Sequence, residues 1–198
     1  MTVFRDLSQH ILDIAENSVA AEADVLHIDI AELPEADRLS IVVRDDGRGM
    51  TPDVVARVTD PWVTTRTTRK VGLGIPFLKQ TAEMCGGEFE ITSNPRGMHA
   101  PAGGTTTRAV FQLSHIDRPP LGDVIGTLLC VVVGNPQLDV VYHHRVGDEA
   151  FEFDTREIRE ILGDDVPLSD PEVLAFIRGT LTEGLAAIGG EAAPEPVV

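Results

Sequence analysis

Two stretches near the start of the chain alternate apolar and polar residues with a period of two. Leu26, Ile28 and Ile30 share one face of a strand over residues 25–31, and Leu39, Ile41 and Val43 share one face of residues 39–43. Pro34 and Asp37 mark the turn between them. Ahead of both, Leu7, Ile11, Ile14, Ser18 and Ala21 follow helical spacing, so a helix is expected over residues 5–22. Thr51 and Pro52 have the order of an N-cap and a first helical residue. A further helix is expected over residues 75–85, stopped by Gly86 and Gly87. Residues 88–92 and 105–113 then read as hairpin partners around a loop rich in Gly and Pro.

The remainder is less clearly patterned. Residues 115–120 read as a linker, and residues 121–133 are too uniformly apolar for periodicity to choose between strand and helix. A hairpin through Gly147 and Asp148 is expected to join residues 138–146 to residues 150–154. Asp154 and Glu157 have capping-box spacing ahead of a helix to Leu162, and Asp170-Pro171 starts a last helix ending near Gly189. The expected organisation is a first domain over residues 1–114, the linker, a small α+β appendage over residues 121–190 suited to docking or dimerisation, and a frayed tail over residues 191–198.

Composition narrows the function classes. The chain has 198 residues, and 42% of them are hydrophobic, enough for a packed core. Its net charge of -16 opposes binding to phosphate backbones, so nucleic acid is not an expected partner. Cys85 and Cys130 have neither metal nor disulfide-framework spacing, which points to a reducing cytoplasm. No apolar run is long enough to span a bilayer, so a membrane is not expected as a partner either. His143 and His144 are adjacent in a strand and face opposite ways, which argues against a shared metal.

Three segments carry candidate chemistry. Strand residues 39–43 run into Arg44-Asp45-Asp46-Gly47-Arg48-Gly49-Met50. Such an acid followed by two glycines is commonly a turn, but Asp45 is also placed to accept from an exocyclic amine, with Gly47 and Gly49 letting backbone approach a flat ring. On the first helix, His10, Asp13 and Asn17 share a face, either merely solvated or presenting an acid and an amide oxygen to a metal-bound phosphate. Residues 60–75 place Arg66, Arg69 and Lys70 among threonines and glycines, opening into a helix. That arrangement suits phosphate at a helix N-terminus.

In this order the segments resemble the GHKL superfamily, the ATP-binding fold of gyrase, Hsp90, histidine kinases and MutL, over residues 5–114. The resemblance implies an α+β fold of the Bergerat type, a two-layer α/β sandwich with a mixed sheet and helices on one face. It implies ATP and Mg²⁺ as cofactors. By the family pattern, Asp13 positions water or the phosphate acceptor, Asn17 holds Mg²⁺, and Asp45 accepts from the adenine amine beside Gly47 and Gly49. Trp62 stands where many histidine kinases have Phe. Gly72, Leu73 and Gly74 match the end of the GxGLGL box, Thr105 matches the Thr after the last glycine, and Arg66, Arg69 and Lys70 lie in a short basic lid facing the phosphates.

Two departures qualify the match. Lys70 occupies the position of the first glycine in GxGLGL, and Asp13 stands for the commoner Glu or Asn, one methylene shorter than Glu. Gyrase, Hsp90 and MutL use a lysine from a second domain, whereas Lys70 and Lys79 here both fall in the first. A phosphoacceptor segment ahead of the first helix is not expected, and His10 reads as structural. The resemblance therefore points to a free-standing catalytic domain, like the anti-sigma-factor serine kinases or a split histidine kinase. The expected function is an ATP-dependent protein kinase acting on a separate protein. The alternatives are a nucleotide-gated switch without phosphotransfer, or a slow ATPase. A homodimer through the C-terminal part is also expected.

Overall fold

The computed structural model describes residues 5–59, 74–97, 103–163 and 166–192. Helix α1 (Leu7–Ala20) starts where the Asp6 carboxylate accepts from the Gln9 N–H at 3.1 Å and the Ser8 hydroxyl at 2.7 Å. Strands β1 (Val25–Leu33) and β2 (Arg38–Asp45) follow as an antiparallel pair, joined by a 3₁₀ turn over Pro34–Ala36. Then come α2 (Pro52–Val58), α3 (Gly74–Met84), β3 (Glu88–Asn94) and β4 (Gly104–Gln112). The C-terminal part contains α4 (Val124–Gly134), β5 (Asp139–Val146), β6 (Glu149–Asp154), α5 (Thr155–Leu162) and α6 (Pro171–Ile188).

All of these strands belong to one mixed sheet, in the order β3-β4-β2-β1-β5-β6. The pair β1 and β5 is parallel, with Val25 opposite Asp139 and Glu32 opposite Val146; the other pairs are antiparallel. One face is apolar across the middle strands except for the buried Glu32, Asp45 and His144. Leu26, Ile28, Ile30, Leu39, Ile41, Val43, Val140 and Tyr142 are buried there under the helices, in one cluster with Leu7, Ile11, Leu78, Leu128 and Ile177. On the other face His27, Asp29, Ser40, Val42, Val141 and His143 are only half covered. The molecule is thus the expected two-layer α+β sandwich with helices on one side.

Residues 121–190, expected as an appendage, instead continue the first sheet and share its core. The cause lies at β1: without β5 its edge would expose a row of unpaired backbone groups in the middle of the sheet. The ambiguous apolar run forms helix α4, capped by Asp123, whose carboxylate accepts from the Gly126 N–H at 2.7 Å. It contacts both α1 and α6, so most of its circumference is apolar and the helical period is masked. The hairpin at Gly147 and the two C-terminal helix starts follow the sequence expectation, with Asp154 and Asp170 as N-caps.

A buried polar chain ties the end of the described C-terminal segment to this core. Tyr142 Oη lies 2.5 Å from His144 Nδ1, and His144 Nε2 lies 3.0 Å from Glu32 Oε1. Burial, with the Glu32 charge, pushes the Tyr142 phenol well above its ordinary range, so its hydroxyl keeps its proton and donates. The Glu191 N–H donates to both Glu32 carboxylate oxygens at 3.1 Å. The Glu191 side chain pairs with Arg118 and accepts from the Leu121 N–H at 3.1 Å. His143, next in sequence to His144, points to the open face, as strand alternation requires.

Candidate functional site

The site begins at the end of β2. Asp45 is the last residue of that strand and sits on the buried face, 9% exposed. Its Oδ1 accepts from the Gly47 N–H at 3.0 Å and the Thr105 N–H at 3.2 Å, and its Oδ2 accepts from the Ser18 hydroxyl at 2.9 Å. The carboxylate borders a cavity of about 590 Å³, a volume typical of small-molecule sites. Ile14, Asn17 and Ser18 of α1 line it, with Met50, Val54 and Val58, and so do Ile75, Thr105 and Thr107.

The two glycines after Asp45 are explained by the chain itself. A side chain at Gly47 would meet the Ala21 carbonyl oxygen at 2.8 Å, where Arg48 N–H donates to that same oxygen at 2.8 Å. Gly49 has φ +67, and a Cβ there would lie 2.0 Å from the Asn94 carbonyl oxygen. The segment is thereby held between the end of α1 and the end of β3, and it presents Gly49 to the cavity. Thr105 is fixed both by its N–H on Asp45 and by its hydroxyl, 2.9 Å from Ser93 Oγ.

Helix α1 supplies further residues of the site. Asn17 lines the cavity, and its amide nitrogen donates to Asp13 Oδ2 at 3.3 Å. Asp13 lies one turn back, packed so closely on Gly74 that a Cβ there would fall 1.7 Å from its Oδ2. His10, one turn further, is buried and hydrogen-bonds the Gly74 backbone. Burial pulls its pKa down to about 4, outweighing the Gly74 bond and the Asp6 charge, so the ring is neutral near pH 7.

The structure therefore brings Asn17, Asp45, Gly49 and Thr105 to one cavity, with Gly47 supporting Asp45 and with Asp13 and Gly74 in mutual contact. Arg66, Arg69, Lys70, Gly72 and Leu73 lie outside the described residues, as does Trp62. Ser18, Arg48 and Arg57 border the cavity without having been singled out for the site from sequence. Ser18 is disguised by its place in the apolar stripe of α1. Arg48 stands inside the glycine segment and Arg57 on the short helix α2, where only the folded geometry directs a cation to the cavity.

Residues 2–115 match the family described as histidine kinase-, DNA gyrase B-, and HSP90-like ATPase. A probable histidine kinase 5 of Oryza sativa subsp. japonica is 29% identical over 89 residues, 42% of this chain but 8% of that protein. The Aquifex aeolicus MutL ATPase domain complexed with ADP superposes with a TM-score of 0.54 at 14% identity, covering 89% of this chain and 88% of its own. Full-length ShkA in complex with AMPPNP gives a TM-score of 0.41 at 23% identity, over 52% of this chain and 20% of its own. The MutL likeness extends the shared fold beyond the matched region into the strands and helices of the C-terminal part. On a match spanning more than half its length, the chain belongs to the histidine kinase-, DNA gyrase B- and HSP90-like ATPase family.

Proposed function

We propose that the cavity binds ATP with Mg²⁺ and that the protein is an ATP-dependent protein kinase acting on a separate protein. The observation that carries this reading is Asp45: a buried carboxylate, held by three donors of its own chain, bordering a cavity of nucleotide size. An adenine amine is a donor that such a carboxylate accepts. Mg²⁺ favours hard oxygen ligands and keeps waters and phosphate oxygens in its shell, so one protein oxygen suffices. Asn17 fits: its nitrogen is engaged by Asp13, which leaves the amide oxygen for the cavity side. Mg²⁺ would neutralise phosphate charge when bound. Asp13 would orient the acceptor group, and Arg66, Arg69 and Lys70 would face the phosphates.

Replacing Asp45 with asparagine puts an amide where an acceptor-only group stands. ATP affinity is expected to fall by about 1–3 kcal/mol, the cost of a mismatched buried polar group. Isothermal calorimetry checks this, and unchanged affinity would remove the adenine reading.

A nucleotide-gated switch without phosphotransfer is the second reading. It is favoured by the Asp13 carboxylate, which is bonded to Asn17 and packed on Gly74 at the start of α3. That placement makes it a sensor of helix position as much as a base. With γ-labelled ATP and cell extract, a kinase labels a partner protein, and Asp13→Ala abolishes the label while nearly preserving ATP binding. A switch gives no label. It recovers a partner differently with ATP, ADP and no nucleotide, because a ligand shifts states only by differential affinity. No labelled protein excludes the kinase, and equal recovery in all three states excludes the switch. The partner, a homodimer and cytoplasmic residence all remain part of this proposal; among the described residues no helix is long and apolar enough to cross a membrane.

A further inference from the structure

Asp45 is more tightly constrained than adenine recognition alone requires. An ionised carboxylate offers about four lone-pair sites. Among the described residues, Oδ1 receives two backbone N–H donors and Oδ2 receives the Ser18 hydroxyl. One acceptor site therefore remains, on Oδ2, and both Asp45 and Ser18 border the cavity. Ser18 is 2% exposed and sits on α1, directly after Asn17. Its single proton has two acceptors within reach, the Ile14 carbonyl at 3.2 Å and Asp45 Oδ2 at 2.9 Å. The ionised acceptor gives the shorter and stronger bond.

We infer that Ser18 is a positioning residue that sets base selectivity, by occupying one lone pair of Asp45 Oδ2 and leaving a single acceptor site turned toward the ligand. This inference rests on the adenine reading of the cavity. A 6-amino purine supplies the one N–H that the remaining site takes. A 6-oxo purine presents an acceptor to the same oxygen, and the two repel. With Ser18 removed, Oδ2 has two open sites, the carboxylate loses one of its three anchors, and water enters beside it. A water beside a loosened carboxylate can serve the 6-oxo ring as a donor. The loss therefore falls on discrimination more than on the fold, because an alanine leaves the α1 backbone and its apolar stripe in place.

The test compares ATP with inosine triphosphate, its 6-oxo counterpart, by calorimetry on the full chain. Ser18→Ala should reduce the ATP-to-inosine-triphosphate affinity ratio by about three- to tenfold, the equivalent of one net hydrogen bond. In the Asp45→Asn background the same substitution should change the ratio no further, because Ser18 acts through that carboxylate. A merely structural serine would alter thermal stability without moving the ratio. If Asp45→Asn weakens ATP while Ser18→Ala leaves the ratio at the wild-type value, the Ser18 inference is overturned and the adenine reading stands. If Asp45→Asn leaves ATP affinity unchanged, the adenine reading falls and the inference falls with it.

Discussion

Replacing Glu32 with leucine should lower the unfolding free energy by roughly 1–3 kcal/mol, the cost of stranding one buried donor, with a smaller loss at a second, part-buried one. The buried donor is His144 Nε2–H and the part-buried one is the Glu191 N–H. Glu32 is 4% exposed and His144 is 0% exposed, so water does not replace the acceptor lost to the ring. Glu32→Gln keeps one oxygen and should recover much of the loss. Replacing Glu32, His144 and Tyr142 together with apolar residues of similar volume should cost less than Glu32→Leu alone, because the buried His144 ring is then no longer left without its acceptor and only the Glu191 N–H loses one. Urea unfolding measures all three. A Glu32→Leu variant within about 0.5 kcal/mol of the wild type, the range of ordinary surface substitutions, would show that the chain carries no stability.

The second large effect is a dependence on acid set by His10. Its folded pKa of about 4 lies below the ordinary imidazole value of 6.5, so between these values the unfolded chain binds the extra proton. Stability therefore rises with pH across that window. The contribution is fully present above pH 6.5 and is lost as pH falls toward 4, below which the slope vanishes. Over such a window it amounts to about 3 kcal/mol. Carboxylates protonating in the same range add their own loss, so the informative quantity is a difference. His10→Gln keeps a donor and removes the titration, and its stability should fall less steeply than that of the wild type between pH 6.5 and 4. Parallel profiles for the two proteins would contradict the assignment. His27, whose pKa is lowered first by burial and then by Arg44, is more exposed and contributes a smaller slope of the same sign.

The sequence made the local elements legible because each of them signals locally. The alternation of Leu26, Ile28 and Ile30, the Asp154 and Asp170 caps and the turn at Gly147 all depend on neighbours within a few residues. The pairing of β5 with β1 has no such signal, since Val25 and Asp139 meet only through the fold. Helix α4 was obscured for a related reason: its burial between α1 and α6 removes the polar face by which a helix is recognised. In the site, Asp13, Asn17 and Asp45 stood out as acids and an amide in a motif order. Ser18 did not, because a small residue in an apolar stripe looks like packing until the Asp45 carboxylate is found 2.9 Å away. In the sequence, Gly47 and Gly49 look like room for a ligand. Their close approaches to Ala21 and Asn94 show that they first make room for the backbone.

The parallel partnership of β1 and β5 also sets an order of events during synthesis. The β1–β2 hairpin forms from contacts close in sequence, whereas β5 must return across more than a hundred residues to reach its place. Contacts of such long separation form late and slow the overall rate. Until β5 has left the ribosome, the β1 edge stays open in the middle of the future sheet, available to any other extended segment. Residues 139–146 therefore act in time as well as in space: their arrival ends the period in which the nascent chain is most prone to pair with the wrong strand.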